Sequence, residues 1–388
     1  MHTITQTPDL AAFCERAANA QFITVDTEFM RESTYWPKLC LIQIATEDEA
    51  VLIDPIAGKL DFAPLLALFD DKDVVKVFHA AKQDIEIFVK MSGRTPNPVF
   101  DTQVAAAVCG FGDSVAYNSI VKQVTGGEID KSSRFTDWSH RPLSEKQQRY
   151  ALADVTHLRD VYEHLLTELD RQKRHEWVAD EMADLMRPEL YRVEPEDAWK
   201  RLKMKVNKPL ELAIMQELAA WRERRAQDQD VPRGRVMKDE AIFELAQQQP
   251  ADAKAFDRLR SFSRGFGRSD QAADIMAVIA RVKKRDKTEL PKVPRRPRGP
   301  SPRGPIGDLM RVLLKSVAED AGVAPRVIAS SDDIDALVLD DEADIPAMHG
   351  WRKKLFGDRA LAIKHGKLAL GASPEAVIPI EVDINPPQ

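Results

Sequence analysis

The sequence predicts an α/β domain built on a mixed sheet, followed by all-α helical modules. Three observations carry this. Strand-like segments lie close together near the start, a long amphipathic helix with a capping signature closes that region, and strand patterning stops after about residue 190.

FITVDTEF (22–29) and LCLIQIAT (39–46) alternate apolar and polar residues and are rich in β-branched side chains, so both are expected as strands. VLIDP (51–55) and VVKVFHA (74–80) read as two shorter buried strands. Strands this close in sequence imply hairpins, which makes the sheet mixed and not wholly parallel. Helices are expected over about 82–91, 101–109, 115–124 and 145–171. Ser144 followed by Gln147 is a capping box at the start of the last of these.

Beyond residue 190, Leu210, Ile214, Leu218 and Trp221 fall on one helical face, as do Ala272, Ile275, Met276 and Ile279. Pro232 and Gly234 mark a turn between them, and Pro250 closes another helical segment. The stretch KKRDKTELPKVPRRPRGPSPRGP has six prolines in 23 residues and cannot build a core. The expected organisation is a mixed α/β domain over 1–190, a helical module over 207–285 and a linker over 286–305. A second helical module over 306–371 and a loose tail over 372–388 follow.

Composition narrows the functional classes. With 388 residues and 44% hydrophobic content the chain can bury more than one core, since a domain takes ~150 residues. Cys14, Cys40 and Cys109 are far apart and odd in number, which argues against a disulfide framework or a thiolate zinc site. No apolar run reaches the roughly 18 residues of a membrane span, and MHTITQTPDL lacks the features of a signal peptide. A soluble cytoplasmic protein is expected. The net charge of −6 conceals segregation: Lys283 to Arg303 holds nine basic and two acidic residues, and Asp332 to Asp344 seven acidic and no basic ones.

Three local patterns can carry chemistry. In Asp26-Thr27-Glu28, strand alternation turns Asp26 and Glu28 to one face and Thr27 to the other. Paired carboxylates at a strand end suit Mg²⁺ or Mn²⁺, which take oxygen ligands, although alone they are equally a polar strand terminus. In Tyr150-Ala-Leu-Ala-Asp154 the i, i+4 spacing puts a phenol and a carboxylate on the same side of a helix. In His79-Ala-Ala-Lys-Gln-Asp84 a strand gives way to a helix, and Asp84 near the helix start is also favoured there by the macrodipole.

Taken in this order, the set resembles the DEDD exonuclease superfamily in its tyrosine-containing branch, and within it the bacterial ribonuclease D family. EIDKSSRFTDWSHRPLSEKQQRYALADV (128–155) carries the resemblance over many contiguous positions. RRAQDQDVPRGRVMKDEAIFELAQ (224–247) is similar to an HRDC domain, a helical nucleic-acid-binding accessory. The resemblance implies an RNase H-like sheet in the nuclease domain and two HRDC-type modules. It also implies hydrolysis of RNA from the 3′ end with release of nucleoside 5′-monophosphates, especially at precursor transfer RNA, by a monomer. Two divalent ions, Mg²⁺ or Mn²⁺, would be held by Asp26, Glu28, Asp84 and Asp154, with Tyr150 beside the attacking water. Phe29, Met30, His79 and Lys131 are the candidate substrate contacts, with core packing of Phe29 and an ordinary solvated Lys131 as the alternatives. The linker's Arg295, Arg296 and Arg298 are candidates either for phosphate contact or for solubilising the linker. Many superfamily members have asparagine four residues before the second-motif aspartate; here Ala80 stands there, and the His79-x4-Asp84 form is that of ribonuclease D-like members. A DNA proofreading exonuclease or a non-catalytic nucleic-acid scaffold are the competing readings. The helical modules are expected to supply affinity for folded RNA and to be removable; the alternative is that they cover an apolar face of the nuclease domain.

Overall fold

A computed structural model describes residues 2–130, 136–293 and 301–382. Lys131 and the linker arginines Arg295, Arg296 and Arg298 lie outside the described residues.

The amino-terminal part runs β1 (His2–Ile4), α1 (Thr7–Ala17), β2 (Phe22–Met30), β3 (Lys38–Ala45), β4 (Ala50–Ile53), α2 (Ala63–Asp70) and β5 (Val75–Phe78). It continues through α3 (Lys82–Ser92), β6 (Val99–Asp101), α4 (Thr102–Cys109), α5 (Tyr117–Thr125), α6 (Glu145–Gln172) and α7 (His175–Leu185). The sheet order is β1-β4-β3-β2-β5-β6. β1 runs parallel to β4 and β4 antiparallel to β3, while β5 runs parallel to both β2 and β6, so the sheet is mixed as the sequence implies. The three-residue strands β1 and β6 have no sequence signature of their own, being too short to show alternation.

The alternation in β2 decides what meets α6. Phe22 packs its ring on Tyr162 with centroids 4.7 Å apart, and Thr24 donates its hydroxyl to the Val155 carbonyl at 2.8 Å. Asp26 and Glu28 follow at the same alternate positions and come beside Asp154. Helix α6 starts as the sequence implies: Ser144 Oγ accepts from the Gln147 amide at 3.2 Å while Gln147 Oε1 accepts from the Ser144 amide at 3.1 Å. Such a cap contributes about 1 kcal/mol.

The chain divides into two compact units. One comprises Met1–Glu28, Cys40–Pro188 and Pro297–Gln388, the other Phe29–Leu39 and Glu189–Arg296. The second unit contains α8 (Pro209–Asp228), α9 (Arg233–Val236), α10 (Asp239–Gln248), α11 (Ala253–Phe256) and α12 (Asp270–Lys283), around a core that includes Leu218, Ile242, Phe256 and Ile275. The strap 29–39 belongs to it. Tyr35 donates its hydroxyl to the fully buried Glu223 carboxylate, which Arg233 Nε clamps at 2.6 Å, and Asp230 Oδ1 accepts from the Tyr35 and Trp36 amides at 3.1 and 3.0 Å.

The first unit also contains α13 (Pro305–Ala321), α14 (Pro325–Ile328), α15 (Ser331–Leu339), α16 (Gly350–Arg352) and α17 (Asp358–Lys364). These helices are not a free module. Met310, Leu313, Leu337 and Phe356 share one apolar cluster with Ala105 of α4, Ile120 of α5, Leu165 of α6 and Val178 of α7. Trp351 stacks on Trp177 at 4.1 Å with ring planes 2° apart, and Arg352 pairs with Glu181. This shared cluster is the packing that the covering alternative describes. The expected loose tail is a hairpin of β7 (Leu368–Ala372) and β8 (Val377–Glu381) up to residue 382. Pro379 is tolerated because this two-stranded ribbon is all edge. Among the described residues no helix is long and apolar enough to cross a membrane.

Candidate active site

Asp26, Glu28 and Asp154 each offer a carboxylate oxygen within 4.8 Å of the others. Two come from alternate positions of β2, and the third from α6, which lies on that face of the strand. Thr27, at the position between, turns the other way, and its hydroxyl donates to the Asp84 carboxylate. Asp84 stands outside the tight group of three, yet near enough for the Asp26 charge to act on it.

The electrostatics are those of too many carboxylates in too little water. Burial pushes the Asp26 carboxyl up to about 6. Asp84 is held well above the ordinary carboxylate range by burial first and by Asp26 second, with the Thr27 hydroxyl acting in the opposite sense. Clustered carboxylates with raised affinity for protons equally have raised affinity for a divalent cation, and an all-oxygen donor set suits Mg²⁺ or Mn²⁺. The residues present fit such an ion.

Tyr150 makes a hydrogen bond to the Asp154 side chain, and its phenol is raised above its ordinary value by burial and then by the charges of Asp154, Glu28 and Asp26. It therefore stays protonated and serves as a donor, not as a base. The Trp138 ring lies beside it, centroids 6.1 Å apart.

Two residues that local spacing does not reveal hold this arrangement. Tyr117 donates its hydroxyl to the Asp154 carbonyl at 2.5 Å, bracing α6 at the site. Asp101 organises the turn between β5 and α3: Oδ1 accepts from the Ala80 amide at 3.0 Å, and Oδ2 accepts from the Ala81 amide at 2.8 Å. Ala80 has φ of 60°, a left-handed conformation that costs a non-glycine residue free energy and needs such support. This turn delivers Asp84 on the first turn of α3. An aspartate directly before the TQVAAAV helix is the one available sequence hint, since Asp101 also caps α4 through the Gln103 amide at 2.8 Å.

His79 directs Nε2 at the Val115 carbonyl at 3.1 Å and Nδ1 at the Thr102 hydroxyl at 2.9 Å, and burial lowers its pKa. Nε2 faces a carbonyl and so donates, while Nδ1 meets the Thr102 hydroxyl, which itself donates to the Phe78 carbonyl at 3.0 Å, leaving the ring's face and not its nitrogens for a ligand. A cavity of about 390 Å³ opens next to the carboxylates, walled by Asp26, His79, Gln103, Tyr117, Tyr150 and Asp154. Phe29 and Met30, half-buried, continue β2 beyond Glu28 and belong to the strap of the second unit.

A mixed sheet bearing an acidic cluster that fits a divalent ion, with a tyrosine on the crossing helix, is the core of an exonuclease. Residues 1–170 match the family model described as 3′-5′ exonuclease, and residues 211–279 match the HRDC domain. Over nearly its full length the chain is similar to ribonuclease D of Nitrobacter hamburgensis, with 48% identity across 98% of this chain and all of that protein. It is equally 48% identical to ribonuclease D of a Jannaschia species, again over 98% of this chain and all of that one. The crystal structure of Escherichia coli RNase D, described as an exoribonuclease involved in structured RNA processing, superposes with a TM-score of 0.85 at 29% identity, covering 94% of this chain and 98% of that one. The chain belongs to the ribonuclease D family, and is a 3′-5′ exoribonuclease, a hydrolase of RNA phosphodiester bonds.

Proposed function

We propose that this exoribonuclease acts in the 3′ maturation of precursor transfer RNA and other small structured RNAs, removing one nucleoside 5′-monophosphate at a time. Asp26, Glu28, Asp84 and Asp154 would hold two divalent ions, Mg²⁺ or Mn²⁺. Ions bound there supply activation of water and stabilisation of the leaving 3′ oxygen. The observation that carries this reading is the meeting of the Asp26, Glu28 and Asp154 carboxylates within 4.8 Å.

The chain's own groups do the positioning. Tyr150, held protonated, directs its one O–H at Asp154 here, and would turn it to the attacking oxygen, or to the charge growing on it, once the Asp154 carboxylate is engaged by a cation. The raised carboxyl of Asp26 implies that protonation competes with cation binding on the acid side of neutrality. The HRDC unit supports the choice of a structured RNA, since such a unit offers phosphate contacts away from the reacting end. It would work as a monomer in a reducing cytoplasm, where thiols such as Cys14, Cys40 and Cys109, which form no disulfide here, stay reduced.

The test is incubation of the purified full chain with a 5′-labelled, 3′-extended transfer RNA precursor and its DNA counterpart, with Mg²⁺ or with chelator. A ladder descending from the 3′ end on RNA, absent with chelator, is expected. Equal or faster digestion of DNA would favour the proofreading alternative, and cleavage of circular RNA would contradict the exonucleolytic reading.

A further inference from the structure

The cavity beside the three carboxylates has a wall whose polar groups are mostly committed. Both His79 nitrogens are used, on Thr102 and Val115. The Tyr117 hydroxyl is spent on the Asp154 carbonyl, and the Tyr150 hydroxyl on the Asp154 side chain. Gln103 differs. Its main-chain amide donates to Asp101 Oδ1 at 2.8 Å, and its Nε2 donates to the Val115 carbonyl at 3.1 Å, the same carbonyl that takes His79. A carbonyl partner requires the N–H there, so the orientation of the amide is fixed by chemistry. The second N–H and Oε1 of Gln103 have no protein partner among the described residues, and the side chain lines the cavity.

We propose that Gln103 reads the 2′-hydroxyl of the 3′-terminal ribose and thereby makes the site select RNA over DNA. The inference rests on the exoribonuclease reading of the same cavity. An enzyme that removes nucleotides in succession meets all four bases. A donor and acceptor locked in place against base edges would favour some and stall at others, whereas the ribose is common to every nucleotide. A 2′-hydroxyl is both donor and acceptor, and is the group by which protein distinguishes RNA from DNA. The immobilised amide presents one N–H and one carbonyl oxygen, so it can meet such a hydroxyl through either. The bases are left to Ile129, Leu158 and the ring pair of His79 and Tyr117, centroids 5.3 Å apart. Apolar and aromatic surfaces of this kind stack bases without reading them. Asn118 and Ser114 also line the cavity, but among the described residues no hydrogen bond immobilises either side chain, and Ser114 is exposed.

The experiment uses the full chain with Mg²⁺ and, for each of the four terminal bases, three 5′-labelled oligonucleotides of otherwise one sequence: all ribose, 2′-deoxy at the terminal nucleotide only, and 2′-deoxy at the penultimate nucleotide only. Every one keeps its 3′-hydroxyl, and removal of the first nucleotide is timed in single turnover. Loss of one neutral hydrogen bond should slow the terminal-deoxy substrate by roughly three- to tenfold, with little change for the penultimate-deoxy substrate. In Gln103→Leu the ribose-to-deoxy ratio should fall to about one, because the ribose substrate slows. A ratio measured on one preparation does not depend on its folded fraction. Three results would overturn the inference: a wild-type ratio near one, a Gln103→Leu ratio equal to wild type, or a loss in the variant that depends on which base is terminal. Should Gln103→Leu be insoluble, Gln103→Ala read by the same ratio takes its place, because a terminal-deoxy effect in the unaltered protein shows that the 2′-hydroxyl is read without assigning the reading to Gln103. Failure of the unaltered protein to shorten the all-ribose strand would instead remove the proposed function, a result distinct from loss of selectivity.

Discussion

Asp26 is required to carry a negative charge in surroundings that disfavour one. Its carboxyl rises to about 6, against an ordinary value of about 3.9. Because the folded value exceeds the unfolded one, the stabilising effect is complete below the unfolded pKa and is lost as pH rises through the folded pKa. Metal-free wild type should therefore lose thermal stability relative to Asp26→Asn between about pH 4 and pH 6, and saturating Mg²⁺ should reverse much of that loss. Melting curves of both proteins across that range, with and without the ion, measure it; parallel curves would show that Asp26 is not the strained group. For chemistry, Asp26→Ala or Asp154→Ala should reduce turnover by well over the ~100-fold upper range of changes behind the metal ligands, with the circular dichroism spectrum intact. Near-normal turnover in either would dismiss the metal assignment. Tyr150→Phe removes one donor and should lower kcat by about 10²-fold with a smaller effect on KM. Sequence made these residues legible because their spacings are local: i, i+2 on a strand and i, i+4 on a helix. Tyr117 was invisible for the opposite reason, since its partner Asp154 lies 37 residues away. The Thr27 contact with Asp84 spans 57 residues and leaves no pattern in the chain either.

At the scale of elements, the site depends on one turn as much as on its strand and helix. Asp101 accepts three main-chain amides, from Ala80, Ala81 and Gln103, and so supports the left-handed Ala80 and the start of two helices together. Asp101→Ala should destabilise the fold by about 2–3 kcal/mol, the range for a buried charged acceptor, and should lower activity through displacement of Asp84. Asp101→Asn keeps one carbonyl oxygen and should recover part of both losses. Denaturant midpoints alongside turnover test this; an activity loss without a midpoint shift would mean Asp101 acts on substrate and not on the turn. The long elements were readable: β2, β3, α3 and α6 fall within a residue or two of the sequence expectation, the helices because each buries one face at a steady period and the strands because they are rich in β-branched apolar residues, β3 being buried on both faces. The three-residue β1 and β6 depend on neighbouring strands for their existence, and β7 with β8 were masked by the prolines around them.

For the whole molecule, chain order and spatial grouping disagree. The helices after residue 301 lie in one core with α4 to α7, so a chain ending near residue 300 exposes the apolar faces around Trp177 and Val178. Such a truncation should aggregate or melt well below the full chain. A soluble truncation with wild-type melting temperature would show the shared core to be dispensable. The sequence places a helical module here but cannot reveal what its apolar faces meet, because that contact is non-local.

The strap 29–39 fixes the order in which this protein can be completed during synthesis. Tyr35 leaves the ribosome early, but Glu223, the carboxylate it bonds, follows 188 residues later. Until then the segment leaving β2 just after Glu28 has no Glu223–Arg233 pair to anchor it. The second unit thus closes around a piece of chain made long before the rest of it. A gene fragment encoding 189–296 alone would produce helices missing one of their own parts, with the Glu223–Arg233 pair facing water where the Tyr35 ring belongs. Supplying residues 29–39 as a separate peptide should raise the fragment's melting temperature, and a Tyr35→Ala peptide should not.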